Sequence, residues 1–312
     1  MKMNDIAVII PCHNEEASIE MVINQFSEFV PSAQIYVYDN ASTDNTASVA
    51  RAAGAVVRTE PMKGKGNVIR RMFADVEADI YVMADGDGTY DASKCPEMVQ
   101  KLVENQLDMV VGVREAVDVD GAYRKGHILG NWMLTYSVSF LFEQGFTDML
   151  SGYRVMSRRF VKSFPVLSKG FEIETEMTVH ALQVGASADE IVTPYYTRPE
   201  GSESKLSTYR DGLRILKMIL LLFKEVKPFQ FFGLFSLFFF IASVGLSMPL
   251  ILTWIETGLV PRFPTAVLSM GLMVLSFFSL VSGVILDSVS RARLEEKRMR
   301  YLSYFAPSGE WK

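Results

Sequence analysis

Two long apolar stretches near the C-terminal end restrict the folds open to this chain more than any other feature of its sequence. Residues 229–255 and 264–286 contain no charged side chain. Each stretch is long enough to cross a bilayer as a helix, which takes about 20 residues. The turn between them, "ETGLVPRFP", is short and contains two prolines. The pattern predicts a two-helix transmembrane hairpin over residues 229–287, and two buried helices of a soluble core are the alternative.

Positive charges flank this hairpin on both sides. Lys217, Lys224 and Lys227 precede it, whereas the turn contains only Arg262. The residues that follow it are also basic: Arg291, Arg293, Lys297, Arg298 and Arg300. By the positive-inside rule both termini and the N-terminal domain are expected on the cytoplasmic side of the cytoplasmic (inner) membrane. Residues 288–312 are accordingly expected to form a basic cytoplasmic tail.

The segment just before the hairpin, residues 206–228, has apolar side chains at helical intervals, with basic residues between them. Tyr209, Leu213, Leu216 and Leu220 share one side of such a helix. The pattern predicts an interfacial helix at the lipid headgroups. A connecting helix packed on the globular domain is the alternative.

Residues 1–205 read as a single α/β domain. Short apolar runs such as "IAVIIP", "QIYVYD" and "IYVMAD" alternate with helical stretches. This repetition predicts βαβ units and a mostly parallel, Rossmann-like sheet covered on both faces. Ligands of such sheets bind outside the carboxyl ends of the strands. The loops expected there are polar: "PCHNEE", "DNASTDN", "PMKGKGN" and "DGDGTYD".

The last of these loops contains three carboxylates, Asp85, Asp87 and Asp91, within seven positions. Like charges this close repel unless a cation or water compensates them, and a hard divalent cation is the obvious candidate. The net charge of −5 argues against a nucleic-acid partner. Cys12 and Cys95 have no metal-ligand spacing and are expected to be buried thiols.

Six motifs in order carry a family resemblance. They are "VIIPCHNEE", "VYDNASTDNT", "KGKGNVIRR", "DGD", "DMLSGYRVMS" and "RPEGSESKLSTYRDG". Together they resemble the family 2 glycosyltransferases of GT-A fold. The nearest branch is the polyprenyl-phosphate glycosyltransferases, which include dolichyl-phosphate mannose synthase and bacterial undecaprenyl-phosphate glucosyltransferases. The expected architecture is therefore a GT-A catalytic domain, an interfacial helix and a transmembrane hairpin.

The resemblance implies a donor site with a bound Mg²⁺ or Mn²⁺. Asp87 is expected to be the main metal ligand, with Asp85 sharing the metal site and reaching the nucleotide. Some relatives place a metal-binding glutamine where this chain has Thr89. Asn40 and Ser42 are expected to cap the next turn rather than touch ligand. The implied donor-binding residues are Pro11, His13, Glu15, Asp39, Lys65, Asp85, Gly86 and Glu174.

The acceptor implied by the resemblance is a polyprenyl phosphate. A lipid phosphate is already an anion near pH 7, so the enzyme needs cations to hold it more than a base to activate it. The implied acceptor-phosphate residues are Arg114, Arg124, Arg198, Ser202 and Lys205. The implied catalytic residues are Asp87, Asp148, Arg114 and Arg124. Asp148 is expected to hold sugar hydroxyls or orient an arginine, with a general base as a minor alternative.

The predicted reaction is inverting transfer of one sugar from a UDP- or GDP-sugar to undecaprenyl or dolichyl phosphate. Two alternatives stay open: a family 2 transferase with a saccharide hydroxyl acceptor, and a degenerate transferase that serves as a membrane scaffold. The sequence does not separate uracil from guanine donors. The small residues Gly233, Ser236, Gly271 and Gly283 would permit close helix packing, including in a homo-oligomer.

Overall fold

Strands and helices alternate through the N-terminal part of the chain in the computed structural model, as the sequence predicts. The structure describes residues 5–117, 146–170, 172–198 and 208–305 and the positions 136, 138 and 142, with only the backbone for 208–215. These residues divide into two compact units. One contains residues 1–215 and 297–312, and the other contains residues 216–296.

The first unit contains the mixed sheet and its helices. Its strands are β1 (Ile6–Cys12), β2 (Gln34–Asp39), β3 (Val56–Thr59), β4 (Ile80–Met83), β5 (Met109–Ala116), β6 (Arg154–Ser157) and β7 (Ala188–Tyr195). Its helices are α1 (Ile19–Phe29), α2 (Thr46–Ala52), α3 (Lys65–Asp75), α4 (Cys95–Glu104), α5 (Arg158–Ser163) and α6 (Ile173–Val184). A short 3-10 turn, Ala92–Lys94, precedes α4.

The seven described strands form one sheet in the order β3-β2-β1-β4-β6-β5-β7. β6 runs antiparallel to both of its neighbours, whereas the other pairs are parallel. The predicted mostly parallel α/β sheet is confirmed. The sequence prediction covered β1 to β5 and did not include β6 and β7.

Local sequence explains how these elements pack. All seven residues of β1 are buried, which is typical of a strand covered by helices on both faces. In α1 the buried residues Ile19, Val22, Ile23 and Phe26 follow the spacing of one helix face. β1 is thus fixed as an inner strand of the sheet, between β2 and β4, and its carboxyl end leads into the loop 13–16.

Three long helices follow: α7 (Thr208–Val226), α8 (Pro228–Thr257) and α9 (Phe263–Leu302). α8 and α9 are long and apolar enough to cross a membrane. The predicted helix over 206–228 is observed as α7, and Leu216, Leu220 and Leu221 are exposed on it. The side chains of Tyr209 and Leu213 lie outside the described residues.

Serines and one glycine bring α8 and α9 together. The Oγ atoms of Ser236 and Ser276 lie 3.1 Å apart, and Ser243 Oγ donates to Ser269 O at 2.6 Å. A Cβ on Gly283 would lie only 3.2 Å from Phe232 Cβ. Of the small residues predicted to permit helix packing, Ser236 and Gly283 therefore pack inside the hairpin, and Gly233 and Gly271 have open space around them. Their part in a homo-oligomer stays a prediction.

The end of α9 belongs to the first unit. Tyr301 is buried there, and its hydroxyl donates to Asp108 Oδ2. The Arg159 guanidinium bonds the same carboxylate and lies 4.4 Å from the Tyr301 ring centroid. Residues 288–302, predicted as part of a basic tail, are helical because α9 continues through them to Leu302. Near this end of the helix, Tyr301 is buried and bonds Asp108.

Candidate active site

Four loops at the carboxyl ends of β1 to β4 surround a cavity of about 240 Å³. Parallel strands end at the same edge of a sheet, so residues far apart in sequence meet there. The lining residues are Pro11, Cys12, His13, Glu15, Asn40, Lys63, Gly64, Lys65, Val68, Asp85, Gly86, Asp87 and Arg198. Of the predicted donor-binding residues, the cavity brings together Pro11, His13, Glu15, Lys65, Asp85 and Gly86.

Asp39, the last residue of β2, is buried close to this cavity. Its Oδ2 accepts weakly from Ser42 N at 3.4 Å, and its Oδ1 has no hydrogen-bond partner among the described residues. A buried carboxylate oxygen without a donor costs free energy unless a ligand supplies one. Asp39 therefore has a free acceptor of the kind that an N–H of a nucleobase would satisfy.

Asn40 organises the neighbouring loops, a role that the sequence prediction missed. Its Nδ2 donates to Glu60 O and Met62 O at 3.0 and 2.8 Å, and its Oδ1 accepts from Gly64 N at 2.7 Å. Its carbonyl oxygen accepts from His13 Nδ1 at 2.8 Å. Asn40 therefore does not cap α2, whose N-cap position is Asn45. It ties together the loops that follow β1, β2 and β3.

The glycines of "KGKGN" are explained by a close backbone approach. A Cβ on Gly64 would lie 2.1 Å from Lys169 O, and one on Gly66 would lie 2.1 Å from Ser168 O. Gly64 also has a φ of +127°, which other residues rarely adopt. Side chains at these positions would push the start of α3 away from the backbone of Ser168 and Lys169.

Lys65 lies between two carboxylates from separate motifs. Its Nζ lies 2.5 Å from Asp85 Oδ1 and 2.5 Å from Glu174 Oε1. Burial alone would lower the pKa of Lys65, but the charges of Asp85 and Glu174 raise it well above its usual value. The lysine is thus a permanent cation that fixes Asp85 and Glu174 beside each other. This contact places Glu174, predicted to face the sugar, next to the acidic loop.

Asp87 is almost fully buried, and both of its oxygens are bonded. Oδ1 accepts from Thr89 Oγ1 at 2.7 Å, and Oδ2 lies 2.8 Å from Arg198 Nη2. Thr89, the residue at the glutamine position of some relatives, therefore contacts the aspartate itself. Asp91 behaves differently from the other two carboxylates, because it caps the Ala92–Lys94 turn through Ser93 N.

The carboxylate oxygens of Asp85 and Asp87 fit a hard divalent cation. The described residues contain no group of three His, Cys, Asp or Glu side chains that could hold a metal on their own. Mg²⁺, however, commonly uses one or two carboxylates and takes its other ligands from phosphates and water. Asp85 and Asp87 supply such oxygens, and the Arg198 guanidinium on Asp87 shows that this position already holds a positive charge. Asp85 and Asp87 would hold the ion.

Arg114, at the end of β5, forms a bidentate pair with Asp148. Arg114 Nε lies 2.7 Å from Asp148 Oδ2, and Arg114 Nη2 lies 2.8 Å from Asp148 Oδ1. The guanidinium also lies 5.5 Å from the centroid of the Tyr195 ring. Asp148 thus orients an arginine, one of the two roles expected for it.

Arg154 in "SGYR" has a structural role. It is fully buried and donates to Ser151 O at 3.0 Å and to Met149 O at 2.9 Å. Its burial lowers its pKa to about 10. Three predicted acceptor residues, Arg124, Ser202 and Lys205, lie outside the described residues.

Some known proteins resemble the N-terminal part of this chain, and others resemble nearly all of it. Residues 7–164 match the profile of Glycosyl transferase family 2. Glycosyltransferase AglJ of Haloferax volcanii is 32% identical over 95% of this chain and 98% of its own length. A Dolichyl-phosphate hexose transferase of the same organism is 24% identical over 69% of this chain and 92% of its own.

A solved structure shares the fold of the first unit. Glucosyl-3-phosphoglycerate synthase from Mycobacterium tuberculosis, in complex with Mn²⁺, uridine diphosphate and phosphoglyceric acid, has a TM-score of 0.56. It is 23% identical and covers 71% of this chain and 78% of its own. The profile match covers half of the chain, and the likeness to AglJ extends through the hairpin. This chain therefore belongs to glycosyl transferase family 2.

Proposed function

We propose that this enzyme transfers one sugar, with inversion, from a UDP- or GDP-sugar to a polyprenyl phosphate at the cytoplasmic face of the membrane. The family supplies the reaction class. The finer assignment depends on the cavity, on the Arg114–Asp148 pair and on the two apolar helices.

The cavity supports the nucleotide-sugar donor. Asp39 has a free acceptor for a base N–H, and Lys63, Lys65 and Arg198 supply positive charge for a diphosphate. A divalent cation at Asp85 and Asp87 would supply Lewis-acid stabilisation of the leaving diphosphate. A metal role agrees with the Mn²⁺ of the structurally similar synthase. Glu174, held by Lys65, would accept hydrogen bonds from sugar hydroxyls.

The bidentate contact between Arg114 and Asp148 is the observation that carries the acceptor assignment. A carboxylate that is paired with a guanidinium is stabilised in its charged form, which makes it a weaker general base for a hydroxyl. Both oxygens of Asp148 accept from the Arg114 guanidinium. An acceptor that is already ionised needs no such base, and a phosphate meets this condition near neutral pH. The name of the dolichyl-phosphate relative agrees with such an acceptor.

The lipid part of the acceptor is supported by the hairpin. α8 and α9 expose large apolar side chains such as Phe238, Ile255 and Phe277. Lipid is the solvent in which such surfaces are stable. The flanking lysines and arginines favour a cytoplasmic position for both ends of the hairpin, where nucleotide sugars are available to the catalytic domain.

The proposed step is a direct displacement. An oxygen of the lipid phosphate attacks the anomeric carbon as the bond from that carbon to the nucleoside diphosphate breaks. Attack from the opposite side converts an α-linked donor into a β-linked lipid-phosphate sugar. No proton has to be removed from the nucleophile, so the protein contributes position and positive charge.

The test is a screen of radiolabelled UDP- and GDP-sugars against undecaprenyl phosphate and dolichyl phosphate, using the full-length protein in vesicles with Mn²⁺ or Mg²⁺. One donor is expected to yield a labelled lipid whose sugar is released by mild acid. Labelling of an added saccharide instead would identify a hydroxyl acceptor. Absence of any transfer, together with no nucleotide binding, would support the scaffold alternative.

A further inference from the structure

Asp87, a proposed ligand of the divalent cation, is already paired with the guanidinium of Arg198. Asp87 Oδ1 is occupied by Thr89, whose Oγ1 and N lie 2.7 and 3.2 Å away. Asp87 Oδ2 lies 2.8 Å from Arg198 Nη2. The Asp87 side chain is only 6% exposed, so water cannot easily replace either partner. The guanidinium is therefore the counter-ion that lets this carboxylate stay buried and charged.

Arg198 lines the cavity together with the carboxylates of Glu15, Asp85 and Asp87. The same carboxylates would attract a divalent cation. Arg198 is about one-third exposed, so its side chain has room to leave Asp87.

A divalent cation at Asp87 Oδ2 would compete with the Arg198 guanidinium for the charge of this carboxylate. A bound Mg²⁺ or Mn²⁺ lies within about 2.0–2.2 Å of its ligand oxygens, close to the position from which Arg198 donates. Two positive charges at one carboxylate oxygen also repel each other. Cation binding through this oxygen therefore favours displacement of Arg198, and a diphosphate offers a guanidinium an equally good set of acceptor oxygens.

We propose that Arg198 is a resident counter-ion of Asp87 that exchanges with the divalent cation, so that the cation binds weakly alone and tightly once a nucleoside diphosphate accepts the released guanidinium. This inference depends on the proposed function, because it assumes a cation and a nucleoside diphosphate in this cavity. It assigns Arg198 a role in the order of binding, in addition to any contact with phosphate.

The experiment measures Mn²⁺ binding, by the electron paramagnetic resonance signal of free Mn²⁺, on the full-length protein in detergent. Without nucleotide, Arg198→Gln is expected to bind Mn²⁺ about tenfold more tightly than wild type, a typical coupling between two ligands of one site. Arg198→Lys keeps the charge and is expected to bind as weakly as wild type. Saturating UDP or GDP should tighten Mn²⁺ binding by a larger factor in wild type than in Arg198→Gln.

Two controls separate exchange from a general charge effect. Arg58→Gln removes a similar arginine–aspartate pair, Arg58 with Asp75, outside the cavity and should leave Mn²⁺ affinity unchanged. Asp87→Asn should abolish tight Mn²⁺ binding. Equal Mn²⁺ affinity of wild type and Arg198→Gln, with binding lost in Asp87→Asn, would overturn the exchange and leave the proposed function standing. Absence of Mn²⁺ binding in every variant, with and without nucleotide, would overturn both.

Discussion

Arg114 holds Asp148 by two hydrogen bonds of 2.7 and 2.8 Å, one to each carboxylate oxygen. The pair joins the end of β5 to the loop before β6. Asp148 is only 4% exposed, so the Arg114 guanidinium compensates a buried charge. The proposed transfer to a phosphate therefore depends more on the Arg114 guanidinium than on the Asp148 carboxylate.

Arg114→Ala is expected to slow transfer to polyprenyl phosphate by about 10- to 150-fold. A charge-assisted bidentate contact is worth roughly 1.5–3 kcal/mol when it is fully made in the transition state. Nucleotide binding, measured by calorimetry, should persist, and Arg114→Lys should recover only part of the rate. Asp148→Asn should lose less activity than Arg114→Ala. The reverse order, with a rate that rises through the pKa of one carboxylate, would indicate a hydroxyl acceptor.

Asp87→Asn is expected to remove most transfer activity while the protein stays folded, because the variant loses the ligand charge that a cation needs beside a diphosphate. Asp91→Asn is the matched control. It changes a carboxylate of the same loop that caps a turn, and asparagine caps almost as well. Single-turnover transfer and circular dichroism would be measured for both. Full activity of Asp87→Asn, or of wild type in excess chelator, would exclude the metal assignment.

The sequence predicts the features that depend on local pattern. Strand–helix alternation predicted β1 to β5, and the "DGD" and "KGKGN" motifs marked the acidic and basic sides of the cavity. Contacts between residues far apart in the sequence were not predictable, because the spacing of apolar residues does not show which residues pair in space. Tyr301 and Asp108 are 193 positions apart. The antiparallel β6 in "SGYRVMS" was missed because its four buried residues begin with an arginine and end with a serine, so they do not form an apolar run.

The contacts of individual side chains in the candidate site were likewise not predictable from the sequence. The sequence marked Lys65 as a ligand for the diphosphate, which stays a prediction, and it did not show that Lys65 also bonds Asp85 and Glu174. It assigned Asn40 to a cap, whereas Asn40 joins three loops. An ammonium group such as that of Lys65 and an amide such as that of Asn40 can each bond a ligand or a protein group. The sequence alone therefore does not show which protein groups they contact.

Lys65→Met is expected to destabilise the catalytic domain by about 3–5 kcal/mol, because it leaves Asp85 and Glu174 close together without their cation. The double variant Lys65→Met/Glu174→Gln removes one of these charges and should recover part of the loss. Thermal unfolding of the single variants and the double variant would give the coupling. Strictly additive effects would mean that Lys65 does not act between the two carboxylates.

The acid stability of the protein is expected to depend on His180. Burial lowers the pKa of His180 to about 3, and the charge of Lys297 acts in the same direction. In the unfolded chain a histidine titrates near 6.5. Below pH 6.5 the unfolded state therefore takes up a proton that the folded state does not accept until about pH 3. The folded state loses up to about 1.4 kcal/mol of stability per pH unit as the pH falls through this window.

His180→Phe should remove this part of the pH dependence. Its ring packs against those of Phe160 and Phe164, with centroids 5.6 and 5.2 Å away, so a phenyl ring suits the position. Thermal unfolding midpoints at pH 7.5 and 5.5 would be compared for wild type and variant. An unchanged difference between the two pH values would show that His180 does not contribute to it.

The C-terminal end of α9 is expected to be a structural part of the catalytic domain, and Tyr301→Phe tests this directly. Asp108 is completely buried and accepts hydrogen bonds from Arg159 and Tyr301, so loss of the hydroxyl leaves the carboxylate with one donor fewer. The expected cost is about 1–3 kcal/mol, measured as a lower thermal midpoint of the full-length protein. Tyr304→Phe, three residues further on and exposed, should unfold at the wild-type temperature. Equal midpoints for the two variants would mean that the end of α9 rests on the domain without stabilising it.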